Sequence, residues 1–227
     1  MERKISLLQN NYYHVYNRGV DKRKIFNSNS DYHRFLALLY VSNSDEKIHI
    51  SNQKNNIALA DVLSLEKGKN IVAIGAYCLM PNHFHLLLTP LVEGGISKFM
   101  LKLQTGYSMY FNIKNEREGS LFQGTYKATH AQDDEYLKYL YAYIHLNPAK
   151  LKDKEWKIKG AHDLSRLKNF VKAYNYSSYS EYEDKEFKIC DPKKFPEYFK
   201  KDADFIDLLD FWLSYQKLEM ARVTLAR

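Results

Sequence analysis

The alternation of apolar and polar positions is clearest at the start of the chain. Asn11 to Val20 (NYYHVYNRGV) alternates and is rich in Tyr and Val, which predicts a strand ending at Gly19. Asp31 to Val41 (DYHRFLALLYV) switches to helical spacing, with Asp31 as the expected N-cap. Ser42 to Asn70 is polar and mixed, and Ile57 to Leu65 within it reads as a short helix or strand. Asn70 to Met80 (NIVAIGAYCLM) is a continuous apolar run, as a buried strand requires. Pro81-Asn82 signals a turn, and His83 to Thr89 (HFHLLLT) is the second arm of a hairpin. Gly94-Gly95 opens a helix over Ile96 to Lys114. Gly119 to His130 is a basic, aromatic loop or short strand. Asp133 to Leu146 is a helix with acids in its first turn, where the helix dipole favours them. Asn147-Pro148 stops it, because a residue before proline avoids the helical region.

After Lys150 the pattern is less regular. Ser177 to Glu183 reads as a polar turn, and Ala203 to Leu218 as a C-terminal helix around Trp212. The order of strand, helix, insert, hairpin, helix, loop and helix implies an α+β domain, an antiparallel sheet with helices on one face. The expected division falls near Lys150: a domain over 1–150 and a mainly helical extension over 151–227.

Composition narrows the class. The chain has 227 residues, 45% hydrophobic, with 19 Tyr, 12 Phe and 2 Trp but only 9 Gly and 5 Pro, which excludes a disordered or collagen-like chain. The longest apolar stretch, Ile71 to Met80, is far short of the roughly 20 residues of a membrane helix. The first residues carry no run of signal-peptide length, so an intracellular, soluble protein is expected. Cys78 lies in the apolar run and reads as a small buried hydrophobe, and with Cys190 it forms no CxxC metal or redox motif. A net charge of +7 fits a polyanionic partner, of which nucleic acid is the commonest.

Two spacings carry chemistry. His83 and His85 are two apart on a strand, so both imidazoles face the same way while Phe84, Leu86 and Leu88 face the other. A side-by-side imidazole pair is half of a metal site. Four residues turn a helix by about 400°, so Tyr143 and Asn147 share a face roughly 6 Å apart along the axis, whereas His145 points away. Tyr136, Tyr139 and Tyr143 also form a stripe of the kind that usually faces a core.

The run Tyr77-Cys78-Leu79-Met80-Pro81-Asn82-His83-Phe84-His85 resembles the HUH motif of single-tyrosine transposases, in which U is a hydrophobic residue. The opening Tyr13-His14-Val15-Tyr16-Asn17-Arg18-Gly19 and the runs Leu121-Phe122-Gln123-Gly124-Thr125-Tyr126-Lys127 and Tyr143-Ile144-His145-Leu146-Asn147-Pro148 resemble the REP-associated tyrosine transposases. The likeness covers about residues 10 to 150, with a fainter echo at Tyr176-Ser177-Ser178-Tyr179. It implies a ferredoxin-like fold and an enzyme that binds single-stranded hairpin DNA, cleaves it through a 5′-phosphotyrosine and rejoins it. It implies Tyr143 as nucleophile and His83, His85 and Asn147 as ligands of a divalent metal, Mg or Mn. Imidazole pairs suit Mn, Ni or Zn better than the oxygen-seeking Mg. It further implies a cytoplasmic protein, as a monomer or a homodimer.

For DNA, cations neutralise phosphates and aromatics stack on unpaired bases. Arg18, Lys22, Arg23 and Lys24 cluster after the first strand, and Lys114, Arg117 and Lys127 bracket the loop holding Phe122, Gln123 and Tyr126. Tyr107 and Tyr110 are rival tyrosines whose apolar neighbours favour the core. Two other functions compete. A non-catalytic nucleic-acid-binding protein on the same fold shares the charge and the aromatics, but not the need for an intact His83, His85, Tyr143 and Asn147. A metal-dependent nuclease without a covalent step needs a further ligand, for which Glu93, His14 and His130 are the candidates.

Overall fold

The computed structural model describes residues 7–48 and 58–214. Position 57 of the short middle element and positions 215–218 of the expected last helix lie outside them. Four strands, β1 (Tyr13–Arg18), β2 (Val72–Met80), β3 (His83–Pro90) and β4 (Lys127–His130), form one antiparallel sheet in the order β2-β3-β1-β4. With α1 (Asn29–Ser42) and α3 (Gly95–Lys114) as crossovers, and α2 (Leu59–Leu63) in the insert, this is the ferredoxin-like β-α-β-β-α-β order.

The two crossover helices cover one face, as expected. Phe99, Leu103, Tyr107 and Phe111 recur every four residues along α3 and are all buried. Phe35 of α1 joins them to the sheet, with ring centres 5.0 Å from Phe84 and 4.9 Å from Tyr107. Asp31 is not the N-cap of α1. Ser28 is, and Asp31 sits three residues inside, its carboxylate accepting from the Asn27 and Ser28 N–H groups at 2.7 and 3.0 Å.

The opposite face is covered too, by α4 (Asp134–His145) and residues that follow it. Beyond α4 the chain forms α5 (Trp156–Lys159), α6 (Leu164–Lys172), α7 (Tyr179–Asp184) and α8 (Asp202–Ser214). Ser177 to Glu183 is not a free polar turn. Residues 176–178 hydrogen-bond along the outer edge of β2, Leu79 N–H to Tyr176 O at 2.8 Å and Ser178 N–H to Tyr77 O at 3.0 Å, closing an otherwise open strand edge. Glu181 is buried there, accepting from Tyr77 Oη and from the N–H groups of Lys188, Ile189 and Cys190. Gly75 lets Phe195 approach β2, since a Cβ at that position would lie 2.7 Å from its ring. Residues on both sides of Lys150 thus join one hydrophobic core.

Candidate active site

The β2–β3 hairpin carries the histidines. β3 is an inner strand, and His85 is opposed by Cys78 on one side and Tyr16 on the other. Phe84 points to the α1–α3 layer, so His83 and His85 point to the face covered by α4. Their ring centres are 4.9 Å apart. His83 Nδ1 is 2.6 Å from Asn82 Oδ1, and His85 Nδ1 is 2.8 Å from His14 Nε2. With Nδ1 of both rings engaged, Nε2 is left as the nitrogen that presents a lone pair. Burial depresses the basicity of both rings. His83 falls to about 4, with Lys150 and then Arg18 adding to the effect. His85 falls well below the usual imidazole value, with His14, His83, Lys150 and Lys157 adding to its burial. Both are therefore neutral at pH 7, the form that binds a metal.

Helix α4 begins at Asp133, whose carboxylate accepts the Tyr136 N–H at 2.7 Å. Near its other end, Tyr143 lies edge-on to the histidines, with ring centres 5.4 Å from His85 and 5.6 Å from His14. Asn147 is fully buried and donates from Nδ2 to Tyr143 O at 2.8 Å, while its Oδ1 has no hydrogen-bond partner among the described residues. His145 points elsewhere, between Tyr141 O and Ser178 Oγ, as the helix arithmetic required.

The donor chemistry suits a divalent metal: two neutral imidazoles fixed through their far nitrogens and, at the end of α4, an amide oxygen buried with no partner among the described residues. Among the described residues, no three His, Cys, Asp or Glu side chains are placed so that they alone could hold a metal ion. His130 is bonded to Asn11 and pairs with Tyr13, and Glu93 follows the far end of β3, so neither joins His83.

The proposed DNA contacts divide into two groups. Arg18 lies opposite His83 in the sheet, and its Nε donates to Gln123 Oε1. Lys22, Arg23 and Lys24 are exposed in a loop tied to the hairpin by Asn82 Nδ2 donating to Lys22 O at 3.2 Å. Lys127 is exposed on β4 opposite Tyr16, hence on the histidine face. These side chains flank the site. The second group is a correction. Phe122 and Tyr126 are buried, Phe122 with its ring centre 5.8 Å from Phe84, so they offer no face to a base. Lys114 is ion-paired at 2.5 Å with the buried Asp31, and Arg117 braces Asn112 and the Ser120 carbonyl. These two cations hold α3 and the turn after it. Sequence reasoning missed Lys150 and Lys157, whose ammonium groups lie 5.6 and 4.5 Å from the Tyr143 ring centre. It weighed His14 only as a metal ligand.

Residues 8–147 match the model of the IS200-like transposases. That is more than half of the chain, which therefore belongs to the IS200-like transposase family of DNA-transposition enzymes. The chain is also similar to a solved REP-associated tyrosine transposase bound to a REP hairpin, at 10% identity over 80% of this chain and 84% of that one, with a TM-score of 0.48. No curated protein matches it. Among the described residues, no helix is long and apolar enough to cross a membrane.

Proposed function

We propose that this transposase is of the REP-associated type: it binds single-stranded hairpin DNA in the cytoplasm, cuts it with Tyr143 and rejoins it. The observation that carries the reading is the edge-on approach of Tyr143 to His85, with ring centres 5.4 Å apart, on the face that also holds His83. The phenol and a pair of metal-competent imidazoles are packed together.

In the reaction the Tyr143 phenol oxygen bonds to phosphorus, its proton leaves to solvent, and the bond from phosphorus to the 3′-oxygen breaks. The 3′-oxygen takes up a proton and the DNA 5′-phosphate stays on the tyrosine. A free 3′-hydroxyl of either strand reverses the step with no external energy. His83, His85 and Asn147 would hold a divalent metal, Mn or Mg, which would supply Lewis-acid polarisation at the phosphate. His14 and Asn82 orient the two imidazoles. Arg18, Lys22, Arg23, Lys24 and Lys127, with Gln123 beside Arg18, guide the strand by its phosphates. Both monomer and homodimer are compatible with this chemistry.

The test is incubation with labelled hairpin oligonucleotides from the flanks of the protein's own gene, with Mn²⁺, followed by a denaturing gel. A DNA–protein band supports the reading. Cleavage with no attached protein supports the nuclease, and binding without cleavage supports the non-catalytic binder.

A further inference from the structure

Lys150 and Lys157 belong to chain that follows the family-matched residues 8–147. Pro148 and a 3-10 turn over Asn147–Leu151 bring Lys150 back beside α4. The buried Trp156 anchors α5, from which Lys157 projects. Both ammonium groups reach the Tyr143 ring, at 5.6 and 4.5 Å from its centre, and both side chains are half-buried. The Tyr143 ring thus meets imidazoles of the sheet, His85 and His14, and two ammonium groups of the segment after α4.

We propose that Lys150 and Lys157 bind the scissile phosphodiester of single-stranded DNA and hold it against Tyr143, which makes the segment after α4 part of the active site. The inference rests on Tyr143 being the nucleophile. A phosphorus under attack sits about 3–3.5 Å from the incoming oxygen. An ammonium on a flexible stem beside the phenol ring reaches a non-bridging oxygen of that phosphate by a change of rotamer. The non-bridging oxygens gain charge as the phenol oxygen adds, so a cation fixed there favours the transition state over the bound substrate. A purely structural cation–π contact would be indifferent to the DNA.

Two measurements on the full chain test this. In the first, single-turnover adduct formation with Mn²⁺ and saturating hairpin is compared for the wild type, Lys150→Gln/Lys157→Gln and Lys150→Arg/Lys157→Arg. The Gln pair is expected to slow the reaction about 100-fold, and the Arg pair to retain most of the rate. A Gln pair as fast as wild type, or an Arg pair as slow as the Gln pair, overturns the proposal. The second needs no chemistry. Each phosphate of the hairpin is replaced in turn by a neutral methylphosphonate, and binding is measured in the Tyr143→Phe protein with and without the Gln pair. One linkage should cost about tenfold in affinity with the lysines present and nothing without them. No such linkage overturns the proposal. A wild type that binds but forms no adduct, while that linkage is found, would instead overturn Tyr143 as the nucleophile.

Discussion

His14 Nε2 and His85 Nδ1 are 2.8 Å apart, joining β1 to β3 across the face that carries Tyr143. For His85 to offer Nε2 to a metal, its Nδ1 must carry the proton and His14 Nε2 must accept it. In the proposed metal site, His14 thus sets the tautomer of His85 from behind the ligand. Replacing it by Phe keeps the ring volume and removes the acceptor. Mn²⁺ affinity, measured by calorimetry, should fall about 10–100-fold in His14→Phe and less in His14→Gln, which keeps an acceptor oxygen. Unchanged affinity in His14→Phe would contradict this role.

Lys114 belongs to the fold. Its partner Asp31 is fully buried and also accepts from Tyr110 Oη at 3.0 Å. In Lys114→Met the carboxylate keeps the bonds from Asn27, Ser28 and Tyr110 but loses the one from the ammonium and its counter-charge, a cost of about 2 kcal/mol in urea unfolding. Hairpin affinity of the folded variant should stay within about twofold, since the ammonium is engaged by Asp31 rather than offered to a phosphate. A large loss of affinity with no loss of stability would return Lys114 to the DNA surface.

Phe122 makes the same distinction for an aromatic. Its ring packs against Phe84 and Tyr107 rather than facing solvent. Phe122→Ala should cost about 3–5 kcal/mol of stability, as large-to-small changes in cores do. Retained stability with weakened hairpin binding would mean that a base stacks there.

Acid should unfold the protein through its buried imidazoles. Burial lowers His145 from 6.5 to about 4, opposed by its hydrogen bonds to Tyr141 and Ser178. The unfolded chain takes up the proton and the folded chain refuses it. The stability is therefore complete above pH 6.5 and is lost as pH falls toward 4, by roughly 3 kcal/mol for this residue. His83 adds a loss of the same sign in metal-free protein. Urea midpoints in a chelator at pH 7.5, 5.5 and 4.5 should fall in that order, and a flat series would contradict the assignment.

The sheet, its hairpin and the tyrosine helix were legible because their signals are local. Period-two alternation found β1, the apolar run and Pro81-Asn82 found the hairpin, and Asn147-Pro148 ended α4. The pairing of His83 with His85, and of Tyr143 with Asn147, followed from the strand and helix periods alone. The approach of His14 to His85 did not, because it depends on the register of β1 against β3, which links residues far apart in sequence. The burial of Phe122 and Tyr126 was hidden for a related reason: a basic loop rich in aromatics reads the same whether its rings face solvent or the sheet. Lys150 and Lys157 lie in irregular chain where no period applies. Their place over Tyr143 is set by the way residues 148–157 fold back.

The central claim is that Tyr143 becomes joined to a DNA 5′-phosphate. Hairpin DNA labelled at either end, reacted with Mn²⁺ and resolved under denaturing conditions, tests it most directly. The 3′-end label should travel with the protein and the 5′-end label should be released on a strand ending in a 3′-hydroxyl. Digestion of the adduct should place the nucleotide on the peptide containing Tyr143, and Tyr143→Phe should give no adduct while still binding the hairpin. An adduct that persists in Tyr143→Phe, or the 5′-end label travelling with the protein, would contradict the account.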